Sequence, residues 1–316
     1  MLSNQEINGN NQVDENSEAY HIPVLLLETV EGLSIKENGI YVDCTFGGGG
    51  HSKEILKKLG SDGRLFVFDQ DMDAKANLPN DERVEFVPQN FRHIQRFLRL
   101  LGVQKVDGIL ADLGVSSHQF DEAERGFSIR FDADLDMRMD KRQLLTAVKV
   151  LATYDEQALH KLFEKYGEVS NSKTLARTIV AKRNHMPMQT INQFKQVIRE
   201  VVMGNPNKYL AKVFQAIRIE VNDEMGALKD LLEQSLNLLN PGGRIAIITF
   251  HSLEDRMVKN FFKTGSIEEV QADDVFGIKP KSPLKIITKK PIEATTEELK
   301  RNNRSRSAGL RIAEKI

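Results

Sequence analysis

The sequence predicts an α/β domain on a parallel sheet, interrupted by an all-helical insertion. Three observations carry this. Short apolar runs alternate with helix-period segments up to Leu113. The alternation then lapses into helical pattern and does not return to a strand until Arg244. Acidic residues close successive apolar runs, and the first such acid, Asp43, is followed by four consecutive glycines.

Taken in order, GIYVDCT (Gly39 to Thr45) reads as a buried strand, and HSKEILKKL (His51 to Leu59) as a helix with Ile55, Leu56 and Leu59 on one face. RLFVFD (Arg64 to Asp69), VEFVP (Val84 to Pro88) and VDGILADL (Val106 to Leu113) are the next three strands. Between the last two, Phe91, Ile94, Phe97, Leu98 and Leu101 stand at helical spacing. This βαβ alternation places helices on both faces of the sheet. Four helical patterns follow: QLLTAVKVLA, DEQALHKLFEKYG, KTLARTIVAKRN and TINQFKQVIREVV, the last with Thr190 as its cap. Tyr209 to Leu239 reads as one long helix ending at NPGG, and RIAIITF (Arg244 to Phe250) as a fifth strand. The surplus between the fourth and fifth strands leaves from the C-terminal edge of the sheet, where such folds bind ligands, and is placed to cover a substrate.

Composition excludes several classes. The 316 residues carry a net charge of -1 with 28% charged and 40% hydrophobic residues, an ordinary globular balance. The single cysteine, Cys44, allows neither an intrachain disulfide framework nor a four-cysteine zinc site and fits a reducing, cytoplasmic setting. The opening MLSNQEINGNNQVDENSEAY has neither the apolar core nor the basic flank of a signal peptide, and no run approaches a membrane span. Residues 1–19 are expected to form a frayed polar tail. The last 36 residues hold ten Lys or Arg against four Glu, so that segment is either a solvated tail or a polyanion-facing one.

The run DCTFGGGGHSKEI poses the ligand question. Glycines permit positive φ and close backbone approach, and the following helix offers unpaired N–H groups. The dinucleotide fingerprint G-x-G-x-x-G fails in both registers, its third place falling on Ser52 or Lys53, and G-x-x-x-x-G-K-[ST] fails too. Asp69 stands 22 residues after Gly47 and suits the role of accepting from ribose hydroxyls, with Asp71 its competitor and a turn-stabilising carboxylate the alternative. An incomplete fingerprint favours S-adenosylmethionine over NAD, because it brings no pyrophosphate to seat on the helix.

The fourth strand runs into ADLGVSSHQF. Asp112 lies where a base and a methyl donor would meet; Gly114, Ser116 and Ser117 form a tight polar loop, with a ligand-free Asx or Ser turn as the alternative. Gln119 could bond an adenine edge or the methionine end. In HSLED, His251 and Asp255 stand four apart, but HExxH is absent; acids in a first helical turn explain Glu254 and Asp255, leaving His251 as a catalytic or substrate-positioning candidate. FDADLDMRMD fails as a calcium loop, since Met137 and Gln143 stand where Gly and Glu are needed; Arg138 is expected to pair with one of its acids. Lys173, Arg177, Lys212 and Arg218 are either plain surface cations or a phosphate-contacting face. No metal is expected.

HIPVLLLETV, YVDCTFGGGGHS, FVFDQDMDA, ADLGVSSHQFDEAERGFSIRFDADLDMRMD, YGE, FQAIRIEVNDE, PGGRIAIITFHSLEDRMVK and RSRSAGLRIAEK closely resemble, in order, the signature blocks of the RsmH (MraW) family of S-adenosylmethionine-dependent ribosomal RNA methyltransferases. The likeness runs from about Tyr20 to the C-terminus, and DLGVSS followed by DMRMD and HSLEDR is its most specific part. The resemblance implies a class I, Rossmann-like methyltransferase domain in two parts, 20–120 and 209–316, around a helical substrate-recognition insertion, 121–208. It implies methylation of a cytidine N4 amine in the decoding region of bacterial 16S rRNA, within the small ribosomal subunit, by a monomer or a homodimer. Gly47, Gly49, Gly50 and His51 would then meet the methionine part of the cofactor, Asp69 the ribose and Phe91 the adenine surroundings, with Asp112 and Gln119 completing the pocket. Ser116, Ser117, Arg138, Arg177, Arg218, Arg304 and Arg306, together with Arg311, would face the RNA. Lys212 and Cys44 depart modestly from the family pattern. GSIEEVQADDVFGIKPKSP replaces the cysteine-rich stretch of some relatives, which removes zinc and leaves the contacts of 265–283 open. The rivals are an amino methyltransferase acting on DNA or another RNA, a nicotinamide oxidoreductase, and a non-catalytic RNA-binding scaffold.

Overall fold

The structure is a computed structural model describing residues 23–267 and 281–316. The expected tail, 1–19, and most of segment 265–283 lie outside the described residues. The strands are β1 (Ile40–Asp43), β2 (Arg64–Phe68), β3 (Val84–Val87), β4 (Val106–Asp112), β5 (Leu239–Thr249), β6 (Leu284–Ile286), β7 (Ile292–Glu293) and β8 (Gly309–Lys315). The helices are α1 (Leu26–Gly32), α2 (Gly50–Lys58), α3 (Ile94–Leu100), α4 (Ser117–Asp121), α5 (Ala147–Thr153), α6 (Glu156–Gly167), α7 (Ser172–Lys182), α8 (Ile191–Ile198), α9 (Pro206–Asn222), α10 (Glu224–Leu238), α11 (Ser252–Thr264) and α12 (Thr296–Arg301).

The strands form one sheet in the order β3-β2-β1-β4-β5-β8-β6, with β7 also pairing to β8. The first five are parallel, and β8 enters antiparallel between β5 and β6. Successive residues of β2 face opposite sides: Phe66 and Phe68 pack with Ile94, Leu98, Leu231 and Phe261 on one face, Leu65 and Val67 with Ile55, Leu56 and Leu310 on the other. This is the expected doubly wound α/β domain.

A third apolar cluster belongs to α5 through α8, around Leu151, Phe163, Ile179 and Phe194. It also takes Val213, Phe214, Ile217 and Val221 from α9, so helical packing continues past residue 208, the expected end of the insertion. The helix expected over Tyr209 to Leu239 is two helices. Asp223 adopts φ 46° and ψ 45° between them, and its carboxylate pairs with Arg92 at 2.9 Å. The break has a packing cause: α9 faces the helical cluster, whereas Leu228, Leu231 and Leu232 of α10 face the sheet, so one straight helix cannot bury both stripes.

The basic C-terminal segment is not a solvated tail. Leu310, Ile312 and Ala313 are fully buried or nearly so, and β8 pairs along β5 from Thr249 to Arg244. Arg311 is buried and donates to both oxygens of Asp255, at 2.6 and 3.0 Å, so the expectation that it meets RNA is overturned. Among the described residues no helix is long and apolar enough to cross a membrane.

Candidate active site

A cleft of about 990 Å³ opens at the C-terminal ends of β1, β2, β3 and β4, the size of a small-molecule site and in the place the sheet topology dictates. Its floor is the glycine turn. Gly47 (φ 49°) donates its N–H to Asp69 Oδ2 at 2.8 Å, and its carbonyl accepts from Asn77 Nδ2 at 2.9 Å. Gly49 (φ 73°) caps α2 against the Phe46 ring, and a Cβ there would lie 2.9 Å from that ring. Gly50 is needed for packing, since a Cβ would meet Pro23 Cγ at 2.1 Å. Of the run, Gly47, Gly48 and Gly50 line the cleft; Gly49 supports it from behind.

Below the turn, Asp43 is buried and accepts from Ser52 Oγ at 2.6 Å and from Thr45 N at 3.0 Å. Burial raises its pKa against the lowering effect of these donors. His51 is buried and still lines the cleft. Its Nε2 stands 3.0 Å from the Val24 carbonyl and, since a carbonyl only accepts, carries the hydrogen; Nδ1 then faces Asp112 Oδ2 at 3.9 Å. Burial lowers the imidazole's pKa and keeps it neutral.

Asp69 closes β2, as expected. Besides Gly47, it accepts from Asp71 N at 2.8 Å, and burial pushes its pKa up to about 7 against these two donors. Each oxygen retains acceptor capacity, and Asp69 lines the cleft. Asp71, its competitor, is committed elsewhere: Oδ2 meets Arg125 at 2.7 Å and Gln119 Nε2 at 2.8 Å. Burial raises the Asp71 pKa, but the Arg125 and Gln119 bonds outweigh it and hold the carboxyl below its ordinary value.

Asp112 ends β4 with its N–H on Thr45 Oγ1 at 2.7 Å. Its Oδ1 is buried with no hydrogen-bond partner. Burial first, then the charges of Asp43 and Glu254, push its pKa well above the ordinary carboxylate value. Such an acceptor, isolated at a strand end, is what an incoming hydrogen-bond donor would satisfy.

The remaining expected residues divide. Phe91 lines the cleft and packs on the sheet core. Ser116 and Ser117 line it too, but Ser116 Oγ and Gln119 form the capping box of α4. Gln119 therefore spends its amide on Ser116 N and Asp71, so it braces the wall instead of offering a free edge. Arg138 pairs with one of the acids of its segment, as expected: it donates to Asp136 at 2.7 and 2.8 Å and also to the carbonyls of Lys141 and Gln143, which occupy its guanidinium. Arg218 donates twice to Glu224, at 2.8 and 2.9 Å, and is likewise occupied. Arg177 is exposed on α7, 3.7 Å from Glu156. Arg306 is exposed; Arg304 lines the cleft mouth, reaching Asp121 at 2.5 Å and lying over the Phe120 ring at 5.4 Å. His251 caps α11 and does not line the cleft; Phe250 and Glu254 do.

Glu224, His251 and Glu254 bring ligand-type atoms within 4.8 Å of one another. The Arg218 guanidinium already supplies the cation to Glu224 there. Sequence reasoning missed Arg125, Asn77, Asn222 and the role of Asp43. Asp43, at the end of an apolar run before the glycines, carried a signal. The other three carried none, because their partners are distant in sequence: Asn222 holds Met139 N at 2.8 Å and Met137 O at 2.8 Å, arching the DMRMD segment over the cleft.

The chain is 57% identical over 298 residues to the ribosomal RNA small subunit methyltransferase H of Flavobacterium johnsoniae, covering 94% of this chain and 98% of that one. It is 55% identical to the protein of the same name from Phocaeicola vulgatus, covering 96% and 100%. Among solved structures, an rRNA methylase from Streptococcus thermophilus aligns with a TM-score of 0.40 and 12% identity over 94% of this chain and 99% of that one. Residues 18–316 match the MraW methylase family, and the chain belongs to it.

Proposed function

We propose that this protein transfers a methyl group from S-adenosylmethionine to the N4 amine of a cytidine in the decoding region of 16S ribosomal RNA, with the small ribosomal subunit as substrate. The observation that carries the reading is Asp112: a strand-end carboxylate in the cleft with a buried, unpaired oxygen, one strand away from the glycine turn. The names of the relatives, which specify the RNA of the small ribosomal subunit, support the substrate class.

The residues fit the cofactor. Gly47 and Gly48 leave backbone exposed for a close approach, Asp69 retains acceptor capacity for ribose hydroxyls, and Phe91 offers an apolar wall for a base. When bound, S-adenosylmethionine supplies an electrophilic methyl group. The protein's part is alignment and acceptors: the amine's lone pair is conjugated with the ring, so a group that accepts its N–H bonds favours the more tetrahedral nitrogen of the transition state. Asp112 is that acceptor. Reaching it requires the base to leave its stack, which suits a loop substrate held by the helical layer, where Arg177 is exposed.

Tritiated methyl transfer to undermethylated 30S subunits, mapped to the modified base, tests the reading. Label on the N4 amine of one decoding-region cytidine is expected. Label on DNA, or on another RNA only, would replace the substrate assignment. The Asp112→Ala variant is expected to lose transfer; near-normal turnover would remove Asp112 from its role.

A further inference from the structure

The wall between two cavities suggests where the reaction's proton goes. Glu254 is 2% exposed and lines the main cleft with Asp112, while His251 behind it lines a second hollow of about 210 Å³ with Thr249, Ser252, Asp255 and Pro291. The two side chains meet inside the wall: Glu254 Oε1 lies 3.1 Å from His251 Nε2, a nitrogen that is buried and otherwise without a hydrogen-bond partner. The other carboxylate oxygen, Oε2, accepts from Phe250 N at 2.7 Å and is fixed. We propose that Glu254 takes the proton released from the methylated amine, with His251 as its positioning residue: His251 Nδ1 accepts from Glu254 N at 3.4 Å, so Nε2 carries the hydrogen and turns it toward Oε1.

The inference rests on amine methylation as the function. As the N4–carbon bond forms, the carbon–sulfur pair stays on sulfur and the positive charge moves to nitrogen, which must then lose one proton. Asp112 and Glu254 stand at the ends of adjacent parallel strands, β4 directly and β5 through the first turn of α11. Asp112 is a poor final acceptor, since any proton it takes is held by burial beside Asp43. Glu254 differs: burial raises its pKa, but the His251 contacts, Phe250 N and the Arg218 charge hold it below the ordinary value, so it stays ionised and accepts without trapping. Arg218 and Glu224 face it from α9 and α10, and Asp255 follows it on α11, paired away to Arg311. An ionised acceptor at the cleft, its carboxylate held in place by a neighbouring imidazole, is the arrangement general-base catalysis requires.

Two near-isosteric variants separate chemistry from folding. In Glu254→Gln the amide oxygen must take the capping bond from Phe250 N, so its NH2 group faces the cleft and His251, a donor where an acceptor is needed. In His251→Asn the N-cap of α11 is kept and the imidazole is lost. With wild-type melting temperatures and S-adenosylhomocysteine affinity, Glu254→Gln is expected to lower kcat about 100-fold with little change in KM, the usual scale for a lost general base. His251→Asn is expected to lower kcat less than Glu254→Gln, with KM unchanged, because it removes the positioning contact and leaves the acceptor. A binding readout independent of turnover uses the homocysteine product complex. Wild type should prefer target RNA bearing cytidine over the same RNA bearing N4,N4-dimethylcytidine, and Glu254→Gln should lose that preference. Wild-type kcat in Glu254→Gln overturns the base assignment, and wild-type kcat in His251→Asn overturns the positioning role, while leaving amine methylation standing; wild-type product mapped to any atom other than an exocyclic amine overturns both the base assignment and amine methylation.

Discussion

The Arg125–Asp71 pair is the interaction whose loss should be felt most. Arg125 and Asp71 are 6% and 7% exposed in their side chains, 2.7 Å apart, and Arg125 also donates to the carbonyls of Arg138 and Met139 at 3.2 and 3.1 Å. The pair ties the start of the helical layer to the loop after β2, and Gln119 joins the same carboxylate at 2.8 Å. Arg125→Met removes the guanidinium at similar length and leaves Asp71 as a buried charge with two neutral partners, Gln119 Nε2 and Asp73 N. Breaking such a pair from one side costs about 3–5 kcal/mol. In a chain of this size that is about 5–8 °C in melting temperature. Adding Asp71→Asn removes the stranded charge, so the double variant should recover about 1–3 kcal/mol of the loss. The pH dependence has a definite sign. Because Asp71 sits below its unfolded value, its stabilising contribution is present above about pH 4 and fades in acid, so the gap between wild type and Arg125→Met should narrow toward pH 3. Thermal and urea unfolding of the four proteins measure this, with calorimetric cofactor affinity as a second readout, since Asp71 and Gln119 line the cleft. A loss under about 1 kcal/mol in Arg125→Met, or strict additivity in the double variant, would refute the reasoning.

Three further expectations follow from the cleft. Burial pushes the Asp69 carboxyl up to about 7, and its ionised form accepts from ribose hydroxyls, so cofactor affinity should rise from pH 6 to pH 8 in wild type and stay flat in Asp69→Asn; a flat wild-type profile in calorimetry removes Asp69 from the ribose role. Gly49→Ala should cost about 1–2 kcal/mol for its left-handed backbone, with further loss against Phe46, whereas Gly48→Ala should fold normally, since its Cβ meets nothing within 4 Å, and weaken cofactor binding instead; equal melting temperatures for the two would contradict the assignment. Replacing Arg304 and Arg306 with Ala should flatten the salt dependence of RNA affinity by about 0.7 to 0.9 per phosphate contact removed, and an unchanged slope returns these two arginines to ordinary surface charge.

Much of the site was legible because its residues sit at strand ends. Asp69 and Asp112 follow apolar runs whose period fixes where the strands stop, and the sheet topology turns those stops into one cleft edge. The arginines were not legible in the same way. Arg218 and Arg311 read as RNA-facing cations, yet each is held by a carboxylate, Glu224 and Asp255; only for Arg138, whose partner Asp136 stands two residues away, was the pairing legible. Charge along a sequence does not reveal whether its counter-charge lies beside it in space.

Local sequence alone determined the elements and their order: the period-two and period-3.6 runs, the Thr190 cap, the glycine turn before α2, and the interruption between the fourth and fifth strands. Tertiary structure alone decided what lies between elements. The break at Asp223 exists because α9 and α10 serve two different cores, and β8 exists because Leu310 and Ile312 find a strand edge on β5. His251 was placed behind Glu254 by the packing of α11, not by its position after a strand. Hydrophobic period is written in neighbours along the chain, whereas burial, pairing and which wall a side chain faces depend on residues that only folding brings together.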